Sequence, residues 1–154
     1  MEIRVAHTAE EFDVVRQLFR DHMSAVPGDL AFQNFDQELD YLPGCYAEPQ
    51  GGIWLGGGDQ GVVALRPMND EGICEMKRLY VAPSARGTGL GRTLAELCLA
   101  EARKRGYAVM RLDTLTTMDA ANHIYRSLGF RERSAYYENP LPDVRYYEVN
   151  LVRP

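Results

Sequence analysis

The middle of the chain reads Val81-Ala82-Pro83-Ser84-Ala85-Arg86-Gly87-Thr88-Gly89-Leu90-Gly91-Arg92. A predicted strand ends at Val81, and a long helix is predicted to begin at Gly89. Glycines permit a tight turn and expose successive backbone N–H groups, and a helix N-terminus attracts anions. Because Arg86 and Arg92 flank the turn, the stretch predicts a pyrophosphate-binding site. The alternative interpretation is that the glycines only form a tight turn.

The rest of the chain is predicted to form strands and helices in the order β-α-α-β-β-β-α-β-α-β-β, with this turn before the third helix. The pattern of apolar residues predicts strands over 2–7, 52–55, 61–65, 72–81, 109–115, 130–137 and 144–152. Helical spacing predicts helices over 9–25, 34–42, 89–105 and 119–128, the first preceded by a capping box of Thr8 and Glu11. This order predicts an α/β protein, in which a mixed sheet carries helices on both faces.

Composition excludes several classes of protein. The 154 residues, 45% of them hydrophobic, predict a single domain over residues 1–154. A net charge of −5 disfavours nucleic acid as a partner, and no apolar run is long enough to span a membrane. The first residues do not resemble a secretory signal, and the three cysteines lack CxxC spacing. We therefore expect a cytoplasmic protein without a metal site.

Two motifs resemble those of the GNAT superfamily of acyl-CoA N-acyltransferases. Arg86-x-x-Gly89-x-Gly91 resembles the signature Q/R-x-x-G-x-G/A, and 122–130 resembles the second motif, A/N-x-x-x-Y-x-x-x-G-F. The runs 74–81 and 136–140 are similar to those of small bacterial-type members. The resemblance follows the whole chain in element order and is specific over residues 74–130. It implies a GNAT-like fold, a twisted, mostly antiparallel mixed sheet of six or seven strands with about four helices on both faces.

The resemblance also implies acetyl-CoA as co-substrate and assigns residues to it. The strand end 79–81 takes the place of a sheet partner for the pantetheine arm, and the turn and helix start bind the pyrophosphate. The implied cofactor-binding residues are Leu79, Tyr80, Val81, Arg86, Gly87, Thr88, Gly89, Leu90, Gly91, Arg92, Asn122 and Tyr125. For Asn122, a contact at the N-terminus of its own helix is the alternative interpretation.

Three residues are implied in catalysis. Glu75, on the strand that ends at Val81, is the candidate general base, and its alternative is an ion pair with Lys77, Arg78 or another nearby cation. The backbone N–H of Leu79 is the expected donor to the oxyanion of the tetrahedral intermediate. Tyr125 is the expected acid that protonates the departing thiolate, with a packing role as its alternative.

The expected partner is a small-molecule amine. In this architecture the acceptor pocket comes from the first two helices, their loop and the late hairpin, which nominates Phe32, Gln33, Phe35, Arg78, Asp113, Tyr136 and Tyr137. Aromatic walls with few charges favour a small or amino-acid-like acceptor, which attacks acetyl-CoA directly in a ternary complex. The alternatives are a non-catalytic acyl-CoA-binding sensor or interaction module, and a nucleotide-phosphate binder unrelated to CoA. Members of the superfamily often dimerise, so the resemblance leaves a homodimer open.

Overall fold

The computed structural model describes residues 2–25, 35–138 and 143–152, which form seven strands and four α-helices. The strands are β1 (Ile3–Val5), β2 (Gly52–Gly56), β3 (Gly61–Pro67), β4 (Ile73–Val81), β5 (Val109–Leu115), β6 (Arg131–Arg133) and β7 (Val144–Asn150). The α-helices are α1 (Ala9–Ser24), α2 (Phe35–Asp40), α3 (Leu90–Lys104) and α4 (Asp119–Ser127). Within the described residues, no helix has both the length and the apolar character needed to cross a membrane.

The N-terminus of α1 is fixed by the predicted capping box. The backbone N–H of Glu11 donates to Thr8 Oγ1 at 3.1 Å, and the backbone N–H of Thr8 donates to Glu11 Oε1 at 3.0 Å. The N–H groups of His7 and Thr8 stabilise the charged carboxylate and lower the pKa of Glu11 to about 2. The helix then runs to Ser24, close to the predicted end.

All seven strands belong to one sheet, in the order β1-β2-β3-β4-β5-β7-β6. Only β4 and β5 run parallel, and each of the other neighbouring pairs is antiparallel. The sheet buries side chains on both faces because successive residues of a strand point in opposite directions. In β3, Val62 and Ala64 pack beneath α1 and α2, whereas Val63 and Leu65 pack beneath α3. The predicted α/β class, mixed sheet and helices on both faces are confirmed.

The late hairpin differs from the prediction. The strand expected over 130–137 is only Arg131–Arg133, and it lies at the edge of the sheet with β7 as its neighbour. After Arg133 the chain leaves the strand path, and Tyr136 packs edge-to-face against Tyr146 with ring centroids 5.2 Å apart. Alternation in the sequence continues through this segment, but aromatic packing over the sheet replaces ladder pairing.

Candidate active site

A gap opens between β4 and β5, the two parallel strands. They pair only over 73–75 with 109–111, whereas β5 stays paired with β7 as far as Leu115. The gap widens into a cavity lined by 76–79 of β4 and 113–115 of β5, together with residues at the end of α1, in and just before α4, and at the start of β7. The parting of two neighbouring strands therefore exposes backbone and side chains of the middle of the sheet to a ligand.

A β-bulge lies in β4 at the wall of this cavity. Val62 pairs with Tyr80 and Ala64 pairs with Lys77, so Arg78 and Leu79 together face one residue of β3. Arg78 adopts a φ of +60°, which a non-glycine side chain rarely takes and which costs about 1–3 kcal/mol. Bulges twist a strand locally and re-aim its groups. The bulge places Leu79, the predicted oxyanion donor, at the cavity wall.

Contacts from α2 hold the strained Arg78 in place. Its guanidinium donates to both carboxylate oxygens of Glu38, at 3.1 and 2.9 Å, and lies 5.3 Å from the ring centre of Phe35. Two residues nominated for the acceptor pocket, Arg78 and Phe35, thus lie together. Glu38 was missed, because an acidic residue on a short predicted helix gives no sign of a buried partner so far along the chain. Phe32 and Gln33 lie outside the described residues.

A second ion pair spans the gap. Lys77 Nζ of β4 lies 3.3 Å from Asp113 Oδ1 of β5, and the two side chains are 19% and 12% exposed. Burial raises the pKa of Asp113, but Lys77, the hydroxyl of Tyr137 and Arg78 outweigh that effect, so the pKa lies below its usual value. Asp113, another nominated acceptor residue, therefore lines the cavity as a carboxylate. Lys77 was not predicted to belong to the site.

His22 lines the same cavity from the last turn of α1. Its ring lies 5.5 Å from that of Tyr80, and burial, together with the charges of Arg78 and Lys77, lowers its pKa to about 4. The imidazole is therefore uncharged at neutral pH. The three histidines are far apart in the sequence, so no motif indicated His22.

His22 makes folding sensitive to mild acid. Its pKa is about 4 in the folded chain and about 6.5 when unperturbed, so the unfolded chain binds more protons between these values. We expect the free energy of unfolding to fall as the pH drops from about 6.5 to 4, by up to about 3 kcal/mol from this group. Thermal melts across this pH range measure the effect. We expect His22→Gln to lose less stability than the wild type as the pH falls, and the control His123→Gln, at an exposed position, to lose as much as the wild type. Equal losses in His22→Gln and the wild type would contradict the assignment.

The glycine-rich turn follows β4 and leads into α3. Gly87 and Gly89 have φ of +80° and +86°, which glycine adopts without strain, and Gly89 is the N-cap of α3. The first N–H groups of α3 have no partner within the helix and carry the positive end of its dipole. A Cβ on Gly91 would lie 3.4 Å from Ile124 Cδ1 and 3.5 Å from Val81 Cγ2, which is ordinary van der Waals contact.

The two arginines of the turn have different surroundings. Arg86 Nε donates to the carbonyl oxygen of Val81 at 3.1 Å, and its guanidinium lies 5.9 Å from the ring centre of Tyr80. Arg92 pairs with Glu96 at 2.8 Å one turn along the helix, with both side chains about half exposed. Exposed pairs of this kind contribute about 0–1 kcal/mol. Arg92 also donates to Ser127 Oγ of α4 at 2.5 Å, so its guanidinium lies between α3 and α4.

Tyr125 joins the cavity from the side of α4. Its ring lies 5.8 Å from that of Phe130 and 6.0 Å from that of Tyr147, and the residue is 6% exposed. Burial raises the pKa of Tyr125, so the hydroxyl keeps its proton at neutral pH. The residue thus packs in the core and lines the cavity, which leaves both of its sequence interpretations in place.

A family model named Acetyltransferase (GNAT) family matches residues 13–130. The chain belongs to that family. An uncharacterised N-acetyltransferase of Schizosaccharomyces pombe is 38% identical to this GNAT chain over 147 residues, 92% of this chain and 90% of that protein. A GNAT acetyltransferase from Staphylococcus aureus has a TM-score of 0.79 at 17% identity, covering 98% of this chain and 100% of that chain. The yncA protein of Salmonella typhimurium, solved with its cofactor acetyl-CoA, has a TM-score of 0.77 at 19% identity, covering 100% and 95%.

Glu75 lies outside the cavity of this GNAT domain. It is 1% exposed, its Oε1 lies 3.0 Å from Arg66 Nε, and its Oε2 accepts a hydrogen bond from the Tyr136 hydroxyl at 2.6 Å. These contacts support the ion-pair interpretation, with Arg66 of β3 as the cation in place of Lys77 or Arg78. Tyr136, nominated for the acceptor pocket, has its hydroxyl on this carboxylate and is not part of the cavity wall.

Asn122 stabilises the N-terminus of α4. Its side-chain amide donates to the carbonyl oxygens of Leu115 and Met118, at 2.9 and 2.8 Å, and its Oδ1 accepts from the Tyr147 hydroxyl at 3.0 Å. The residue is 2% exposed. Because both donors are used inside the protein, these contacts support the helix-terminus interpretation over a contact with pantetheine.

Proposed function

We propose that this GNAT protein transfers the acetyl group of acetyl-CoA to the primary amine of a small or amino-acid-like acceptor, by direct attack in a ternary complex. One observation carries the proposal. The gap between β4 and β5, the bulge at Arg78 and Leu79, and the glycine turn before α3 lie in sequence along the end of one strand. A pantetheine arm bound along this part of β4 would place its thioester in the cavity and its pyrophosphate at the glycine turn.

The turn would hold the pyrophosphate of the co-substrate. Its backbone N–H groups from Gly87 to Gly91 and the dipole of α3 favour a negative charge, each anion contact adding about 0.3–1 kcal/mol. On the side that faces β5, β4 has no strand partner after Glu75, so its backbone over 79–81 would bind the amides of the pantetheine arm. Arg86 and Arg92 would add charge-assisted contacts.

The chemistry would occur where the bulge meets the cavity. An amine with a pKa of about 10.4 is uncharged in about 1 molecule in 2,500 at neutral pH, which adds roughly 4–5 kcal/mol to the barrier. The cavity would bind the amine against the thioester, and the N–H of Leu79 would stabilise the developing oxyanion. Tyr125 would protonate the thiolate that leaves. Because Glu75 is paired with Arg66, water is the simpler carrier of the amine's proton.

Release of CoA thiol tests this function. The protein is incubated with acetyl-CoA and, separately, with diamines, α-amino acids, arylalkylamines and a peptide with a free N-terminus. We expect thiol release above the acceptor-free rate with a small amine, and a product heavier by one acetyl group. Turnover of the peptide alone would contradict the small acceptor. Binding of acetyl-CoA without release in any mixture would favour the non-catalytic acyl-CoA module.

A further inference from the structure

The ammonium group of Lys77 occupies a defined position inside the cavity. It lies 3.3 Å from Asp113 Oδ1 and 6.0 Å from the ring centre of Tyr137. Lys77 and Asp113 project from β4 and β5 beyond the point where these strands stop pairing, so their side chains meet across the gap. A carboxylate together with an aromatic face within about 6 Å is a common arrangement for binding an ammonium ion.

We propose that Asp113, held by a hydrogen bond from Tyr137, binds the acceptor's ammonium group in the cavity, and that Lys77 is an internal ligand which the acceptor displaces. This inference rests on the proposed function, since it concerns the acceptor of that reaction. It assigns the ammonium of the substrate to β5, on the opposite side of the gap from Leu79. An amine held by Asp113 would then face the thioester across the cavity.

The other carboxylates near β4 are less suited to this role. Glu75 is shared between Arg66 and Tyr136 and lies outside the cavity. Glu38 receives two hydrogen bonds from the planar guanidinium of Arg78, a geometry that fixes both partners. Asp113 lines the cavity, and Lys77 reaches it through one longer contact from a flexible side chain.

Asp113 also stays charged when the acceptor arrives. It receives hydrogen bonds from Lys77 and from Tyr137, and the positive charges of Lys77 and Arg78 keep its pKa below the usual value despite burial. The acceptor's ammonium therefore meets a charged Asp113. The hydrogen bond from the Tyr137 hydroxyl can remain while this ammonium replaces that of Lys77. For this exchange the flexible Lys77 side chain must turn its ammonium out of the cavity into water, so that the number of positive charges in the cavity stays the same.

Two substitutions with opposite expected effects test the inference. Asp113→Asn removes the counterion, so we expect KM for the amine to rise about tenfold or more, with acetyl-CoA affinity unchanged. Lys77→Met removes the competing ammonium, so we expect KM for the same amine to fall, by up to about fivefold. Steady-state kinetics with the amine that gives the fastest thiol release measure both, and calorimetry measures acetyl-CoA binding separately.

A different pattern is expected if the Lys77–Asp113 ion pair only holds β4 and β5 together. In that case both variants would lose activity and thermal stability together, and a shift of KM in the same direction in both would overturn the inference. Lys77→Gln provides a second test that does not depend on the folding of Asp113→Asn, and unchanged or raised KM in both Lys77 variants would also overturn it. Absence of turnover in the wild type would instead count against the proposed function.

Discussion

Gly89→Glu is expected to abolish binding of acetyl-CoA. Gly89 is the N-cap of α3 with φ of +86°, so the new side chain would project from the turn that the pyrophosphate is proposed to occupy. Its negative charge would repel the ligand, and like charges in contact cost several kcal/mol. We expect the affinity measured by calorimetry to fall by at least about 100-fold.

A matched control lies at the other end of the same helix. Gly106 follows the C-terminus of α3 and has a φ of +85°, and a Cβ added there would have no atom within 4 Å. Gly106→Glu therefore introduces the same side chain and the same backbone strain far from the turn. It should destabilise the protein to a similar degree while acetyl-CoA affinity stays near the wild-type value. Unchanged affinity in Gly89→Glu would remove the turn from the binding site.

Tyr125→Phe is expected to lower kcat by about 100-fold or more while acetyl-CoA affinity stays nearly intact. The substitution keeps the ring between Phe130 and Tyr147 and removes only the hydroxyl that would protonate the thiolate. A loss confined to kcat identifies an interaction made in the transition state. Single-turnover thiol release and calorimetry with acetyl-CoA measure the two quantities independently.

Tyr107→Phe is the matching control for this experiment. The hydroxyl of Tyr107 donates to the backbone oxygen of Gln50 at 2.7 Å, outside the cavity, so its removal should leave kcat unchanged. Equal losses of binding and rate in Tyr125→Phe would indicate that the ring and hydroxyl of Tyr125 serve packing.

The parts of the fold set by local sequence were predictable. The capping box at Thr8, the periodicity of α3 and the glycines before Leu90 each lie within one turn or one helix, where backbone geometry depends on neighbouring residues. The turn, α3 and the strand before it were therefore predicted together, although the roles of their residues in binding stay a prediction.

The wall of the cavity depends on pairings between distant segments. The gap arises because β4 stops pairing with β5 after Glu75, and nothing in either strand marks that point. The Lys77–Asp113 pair and the bulge at Arg78 follow from this register and from the pairing of β4 with β3. For the same reason, the sequence did not indicate that Arg66 is the ion-pair partner of Glu75, the predicted catalytic base.

A calorimetric titration of the wild-type protein with acetyl-CoA, with ATP and NAD as competing polyphosphates, tests most directly whether the glycine turn and the end of β4 bind this co-substrate. The proposed binding site predicts saturable binding of one acetyl-CoA per chain, with ATP and NAD much weaker because they lack the pantetheine arm that we propose lies along β4. Binding of ATP as tightly as acetyl-CoA, or no binding of acetyl-CoA, would contradict it.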